Sequence, residues 1–356
     1  MNNLLQDCIT MKSTNSRSAC KNDHNYISNR LFYIDTLKGF TILCVILGHI
    51  IQYSYNNFDE NHLFRYIYAF HMPLFMMISG FVSSTKPSPV ITFTIKKGKH
   101  LLLPFIVWGI FSSILHQKFD IYHIINLFIY PDTGLWFLWV LFFISIFHNL
   151  SLIISQKYNI NKYKCFIFIL FFLFIISKLS HGLGGSHFIS WYFIFYICGV
   201  ILRGIKKLPS NTKILSLFLF IFLILGFYWK RIEAPIFIST NIVLTALCIY
   251  CYKIITALTA CIFLFSFHKS IESPKSKVQN FLQLLGKETL GIYAIHYYFI
   301  SIWEQLEFKP LMIYMTLEFI FISIFSLLSV KMLKLNKYLS FILLGNPLKQ
   351  KTNEMA

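Results

Sequence analysis

The sequence predicts an all-α polytopic membrane protein of about ten transmembrane helices, and three observations lead there. Of its 356 residues 56% are hydrophobic and only 13% charged, about half the charged share of a soluble domain. The apolar residues come in blocks of roughly twenty, the length that crosses a hydrocarbon core as a helix. The basic residues, finally, fall unevenly between alternate loops. Clusters such as Lys86, Lys96, Lys97 and Lys99, or Arg203, Lys206, Lys207 and Lys213, lie on one side, against only Arg65, Lys118, Lys178, Lys230, Arg231 and Lys309 on the other. By the positive-inside rule both termini face the cytoplasm.

The apolar runs lie near 37–55, 65–84, 100–115, 134–155, 164–180, 187–203, 213–229, 235–267, 281–303 and 310–331. The eighth is too long for a single span and carries Lys253 in its middle. It is read as one crossing plus an interfacial stretch, because two crossings would export the basic C-terminal segment. The organisation expected is a flexible cytoplasmic tail over 1–30, a transmembrane domain over 31–335 and a cytoplasmic tail over 336–356. No internal repeat is evident. The first thirty residues lack the apolar stretch and small-residue cleavage site of a signal peptide. The formal charge of +18 follows from the loops and does not imply a nucleic-acid partner. The eight cysteines sit mostly within apolar runs; "CIYC" at 248–251 reads as small apolar residues on a helix face, with no metal site and no disulfide framework. A multi-pass protein of a bacterial cytoplasmic (inner) membrane is expected, with membrane lipids as partners and the oligomeric state open.

Ionisable residues inside spans mark functional sites. Lys38 and His49 in "LKGFTILCVILGHIIQ" are separated by about three helical turns, a rise of roughly 16 Å. They share one face, the lysine at the cytoplasmic mouth and the imidazole in the outer half of the bilayer. Asp35 falls near the same face. The next span carries His71 at matching depth in "YAFHMPLFMMISGFV", where Pro73 frees a carbonyl and Ser79–Gly80 marks close packing. "TIKKGKHLLLPF" gathers Lys96, Lys97, Lys99 and His100 before the third span, either as positive-inside residues or as a phosphate-binding lip. Trp136 and Trp139 open the fourth span as aromatic-belt anchors, with Trp136 also placed to stack on a sugar ring. Tyr293 and His296 are neighbours on one face of the ninth span. Together these residues describe a shaft with cations at its cytoplasmic mouth and imidazoles in its outer half, suited to acyl transfer from coenzyme A.

Five stretches in order, "YIDTLKGFTILCVILGH", "FHMPLFMMISGF", "KKGKHLLLPF", "LWFLWVLFF" and "LGKETLGIYAIH", resemble the membrane-bound acyltransferase-3 family, which includes bacterial polysaccharide O-acetyltransferases. The resemblance runs from about residue 31 to about residue 330. It implies that His49 is the essential histidine, preceded across ten residues by Lys38 where the family has arginine. Lys97 and His100 stand where the family has an arginine pair. Lysine binds phosphate as a point charge without the guanidinium fork.

The function expected is transfer of an acetyl group from cytoplasmic acetyl-CoA, the co-substrate, to a hydroxyl of a surface glycan or its lipid-linked oligosaccharide precursor. His49 acts as general base or acyl relay. His71 orients it or donates to the oxyanion. Lys38, Lys97, Lys99 and His100 hold donor phosphates, and Asp35, Trp136, Tyr293 and His296 support the site or line the acceptor side. No metal is required. A lipid-linked glycan flippase would use the same polar residues as a translocation path. A glycan polymerase would need a large Arg-rich outer loop, and a membrane scaffold leaves the histidines unexplained.

Overall fold

A computed structural model describes residues 14–115, 120–205, 208–209, 211–231, 241–273, 276–305 and 312–348, with side chains from Phe32 onward except those at 133 and 242. The first tail residues, part of the eighth run (235–240), and Lys118, Lys206, Lys207, Lys275, Lys309, Lys349 and Lys351 lie outside the described residues.

The described secondary structure is helical, without a strand. In chain order the helices are α1 (Thr14–Ser54), α2 (His62–Phe81), α3 (Val90–Lys97), α4 (Leu103–Leu115), α5 (Ile121–Ile129), α6 (Trp136–Lys157), α7 (Lys162–Leu179), α8 (Ser186–Gly204), α9 (Thr212–Tyr228), α10 (Ile242–Ser270), α11 (Lys277–Lys287), α12 (Thr289–Glu304), α13 (Met312–Leu335) and α14 (Lys337–Leu344). Every one of the ten apolar runs is helical where described. Six helices among the described residues are long and apolar enough to cross a membrane: Phe32–Ser54, Val90–Leu115, Trp136–Tyr158, Leu183–Gly204, Val243–Ser270 and Met312–Leu335.

The differences from expectation have local causes. α1 begins well before the apolar run does. The third run starts earlier, at Val90, because the widened turn Gly98–Leu102 carries α3 into α4 without a break. The ninth run is two helices, parted at Glu288, whose ψ of 8° leaves helical geometry. The eighth is one continuous 29-residue helix from Ile242, after an Asn241 side chain that accepts from Val243 N and Leu244 N. Asparagine caps recur at Asn61, Asn161, Asn211 and Asn336, each satisfying amides that a helix start leaves orphaned. The segment expected as a tail from 336 begins with α14, which docks: Trp108 Nε1 donates to Leu343 O at 2.9 Å and His100 Nδ1 to Gly345 O at 2.9 Å.

Two ends of the bundle can be named by residues they carry, the Ser54 end and the Lys97 end. α1 is its central post. Ile42, Val45, Ile46 and Ile50 pack into a core shared with α4, α6, α12 and α13. Its other face, with Leu37, Cys44 and Ile51, packs with α2, α9 and α10. The close packing expected at Gly80 is present. A Cβ there would stand 1.9 Å from Tyr196 O, and one at Gly199 1.9 Å from Met77 O, so α2 and α8 cross backbone to backbone.

Candidate functional site

Where the helices splay at the Ser54 end they enclose a cavity of about 1330 Å³. Its walls are aromatic, with Trp108, Trp136, Trp191 and Trp229 among the lining residues and tyrosines from α1, α2, α8, α10 and α12 between them. His49, Gln52 and Tyr53 line it from α1, and Tyr68, His71 and Pro73 from α2. Pro73 has no amide hydrogen for the carbonyl of Ala69, and both residues line the cavity, so the wall there offers a carbonyl without its usual partner.

His49 is held on several sides. Its Nδ1 lies 3.2 Å from Gln52 Oε1, and the Tyr68 hydroxyl donates to that same oxygen at 2.5 Å. A carboxamide oxygen only accepts, so His49 donates through Nδ1–H and its Nε2 carries the lone pair. The Tyr297 hydroxyl stands 2.9 Å from both ring nitrogens, and with Nδ1 already a donor it can donate only to the Nε2 lone pair. The His49 and His296 rings are 5.4 Å apart. Gln52, Tyr68 and Tyr297 were not singled out from the sequence. Gln52 lies three residues beyond His49 on one helix and was the one within reach of spacing arguments; the tyrosines are brought by other helices.

His71 is buried, and its Nδ1 donates to Ile67 O at 2.8 Å. The neutral ring then has only a lone pair at Nε2, so the expected donation from His71 to an oxyanion is not available to it. The Tyr297 hydroxyl is the group that can donate from beside His49. His296 donates through Nδ1 to Tyr293 O at 2.8 Å, while its buried Nε2 has no hydrogen-bond partner among the described residues. It stands behind His49 and is not part of the cavity wall. Tyr293 is.

Trp136 also lines the cavity, stacked on Phe188 at 5.0 Å between centroids. Trp139 donates to Gly184 O at 2.8 Å and packs on Phe105. Trp136 thus faces the cavity, while Trp139 packs against protein beside it.

The cations expected at the other mouth are not gathered with the histidines. Lys38 is paired with Asp35 at 3.1 Å and lies off the cavity wall. Ile42 and Val45, which occupy the same helical stripe between Lys38 and His49, are 0% and 1% exposed. The expected continuous shaft is therefore closed by an apolar layer in this conformation: branched side chains on that stripe interlock with their neighbours from α4 and α12. Lys97 is half-buried with Nζ over the Phe93 ring at 5.7 Å, and Lys99 is exposed. His100 spends its Nδ1–H on Gly345, a structural contact that removes one of its two donors from any ligand.

A family model described as an acyltransferase domain matches residues 31–333. Nodulation protein NolL of Sinorhizobium fredii is 44% identical over 72 residues, 19% of each chain. The protein of the same name from Mesorhizobium japonicum is 40% identical over 90 residues, 23% of each. The chain thus spans about a fifth of the length of these curated relatives. No solved structure matches it. A match over most of the chain, joined to this multi-helix apolar architecture, places the chain in the acyltransferase-3 family of membrane acyltransferases.

Proposed function

We propose that this protein transfers an acetyl group from cytoplasmic acetyl-CoA to a hydroxyl of a cell-surface polysaccharide, or of its lipid-linked precursor, in a bacterial inner membrane. The chain crosses that membrane ten times, with both termini in the cytoplasm and the Ser54 end outside, the orientation favoured by the loop lysines and arginines. The observation that carries the reading is His49 in the wall of a large aromatic cavity, its Nδ1–H held by Gln52 and its Nε2 lone pair met by the Tyr297 hydroxyl. Saccharides bind by stacking apolar ring faces on aromatic side chains and by hydrogen bonds to hydroxyls, and this wall offers both.

In the proposed reaction His49 Nε2 takes the proton of an acceptor hydroxyl as its oxygen attacks the thioester carbonyl. Once Nε2 has taken that proton, the Tyr297 hydroxyl no longer donates to it and turns to donate to the tetrahedral oxyanion. Collapse breaks the carbon–sulfur bond, and the leaving thiolate takes the proton from the imidazolium. The product is an O-acetyl ester and free coenzyme A. Lys97 and Lys99 at the cytoplasmic end are the groups for donor phosphates, with Lys38 reaching them if its pairing with Asp35 opens. The Ile42–Val45 layer must part for the thioester to reach His49, which makes the described conformation the outward-open one.

Mass spectrometry of surface glycans from cells with and without the gene tests this. A gain of about 42 Da per repeat, the mass of an acyl substitution by acetyl, is expected only with the intact gene. Glycan movement across the membrane without coenzyme A, and no mass gain, would favour transport instead.

A further inference from the structure

Lys253 lies within the span Val243–Ser270, where an ammonium is tolerated only if it faces protein or a wet cavity. It lines the same cavity as His49, together with Arg231 and Trp229. Its Nζ donates to Arg231 O at 3.1 Å and stands 5.7 Å from the Trp229 ring centroid. The Arg231 guanidinium stands over the Phe58 ring at 5.1 Å. Neither cation has an ion pair among the described residues. The nearby carboxylate of Glu60 is already taken by Lys230 at 2.7 Å and by Arg65. Among the described residues Asp59 and Asp132, the latter also on the cavity wall, pair with neither cation. Both cations line the cavity, and among the described residues no carboxylate takes the planar fork of Arg231 or the remaining Nζ hydrogens of Lys253.

We infer that Arg231 and Lys253, beside Trp229, form a subsite for a phosphate group on the molecule that occupies the cavity. A planar fork satisfies two oxygens of an oxyanion, and a point donor alongside it adds a third direction, which suits a tetrahedral phosphate better than a planar carboxylate. This deepens the proposed acetyl transfer, on which it rests for the identity of the occupant: the acceptor enters as a phosphate-bearing saccharide, such as a diphosphate-linked glycolipid, rather than as a finished neutral polymer. The sugar would then lie along the aromatic wall between the phosphate subsite and His49.

The test uses the full chain carrying His49→Ala, in nanodiscs of neutral phosphatidylcholine, so that binding is read without turnover. The probes are a fluorescent oligosaccharide phosphate and its dephosphorylated twin. The expected result is tighter binding of the phosphorylated probe by about tenfold or more, the size of a charge-assisted contact. R231Q/K253Q should erase that preference and leave the neutral twin's affinity unchanged, whereas the charge-keeping pair R231K/K253R should retain most of it. Nanodiscs containing phosphatidylglycerol separate the two sources of phosphate. A preference kept there assigns the subsite to the acceptor, and one lost there shows a lipid headgroup filling the same subsite. Equal affinity for the twins, no binding of either, or a preference that survives R231Q/K253Q overturns the proposal. Absence of acetyl transfer by the wild type, with the phosphate preference intact, would instead overturn the catalytic reading and leave the subsite standing.

Discussion

The two ends of α1 carry similar polar residues in opposite settings. Toward Ser54, His49 and Gln52 look into a cavity and are held by tyrosines from α2 and α12. About three turns away, Asp35 and Lys38 satisfy each other, and α11 presses on the helix there. A Cβ at Gly39 would stand 1.9 Å from Leu282 O, and one at Gly286 1.8 Å from Asp35 O. One end of the helix therefore holds its polar groups through neutral hydrogen bonds at a cavity wall, the other through an ion pair in packed protein. An ion pair closed by backbone packing contributes assembly; an imidazole held by exchangeable hydroxyl contacts beside open volume is placed for chemistry.

Substitutions sharpen that contrast. The largest effect on turnover is expected from His49→Ala, a fall in acetyl transfer of about 10²- to 10⁴-fold, with thermal stability in detergent nearly unchanged because the side chain borders a cavity. Transfer at the wild-type rate by the inserted variant would break the contrast. Gly39→Leu should do the reverse. The side chain has no room against the α11 backbone, so a loss of about 3 kcal/mol should appear as a lowered Tm and poor yield, while the surviving folded fraction keeps its kcat.

Gln52→Leu is expected to be milder. It removes the acceptor that sets the His49 tautomer and should lower kcat by about tenfold or more, with an altered pH profile and little change in Tm. An unchanged pH profile would reduce Gln52 to a packing residue. The smallest effect concerns Glu60, in the loop between α1 and α2. Its hydrogen bond from Lys230, with Arg65 nearby, holds its carboxyl below the ordinary value of 4.5. A depressed carboxyl contributes stability that is present above its unfolded pKa and is lost as pH falls through the folded one. The melting temperature should therefore drop slightly below about pH 4.5, and Glu60→Gln should remove that part of the pH dependence. An identical pH profile in the variant would show that the rim gains nothing from the pair.

Much of the helical plan was legible in the chain, because a helix in lipid must satisfy its own backbone and show an apolar surface over a fixed length. Each of the ten apolar runs is helical where described, and the asparagine caps sit in the polar punctuation between them. Part of the site was legible too: an imidazole within an apolar helix is costly, and both His49 and His71 face the cavity. The same periodicity placed Lys38 on the stripe of His49, correctly as an angle, but it could not show that Ile42 and Val45 fill the space between them.

What the sequence determined by itself was therefore the class of protein, the helices and the place of each ionisable group along its helix, all of which depend on local composition and a 3.6-residue period. Only the tertiary structure decided that Lys38 pairs with Asp35, that His100 is tied to Gly345, that tyrosines from distant helices hold His49, and that Arg231 and Lys253 share its cavity. Whether a helix face meets a packed neighbour or an open volume depends on the shapes of several helices at once, and no single stretch of chain contains that information.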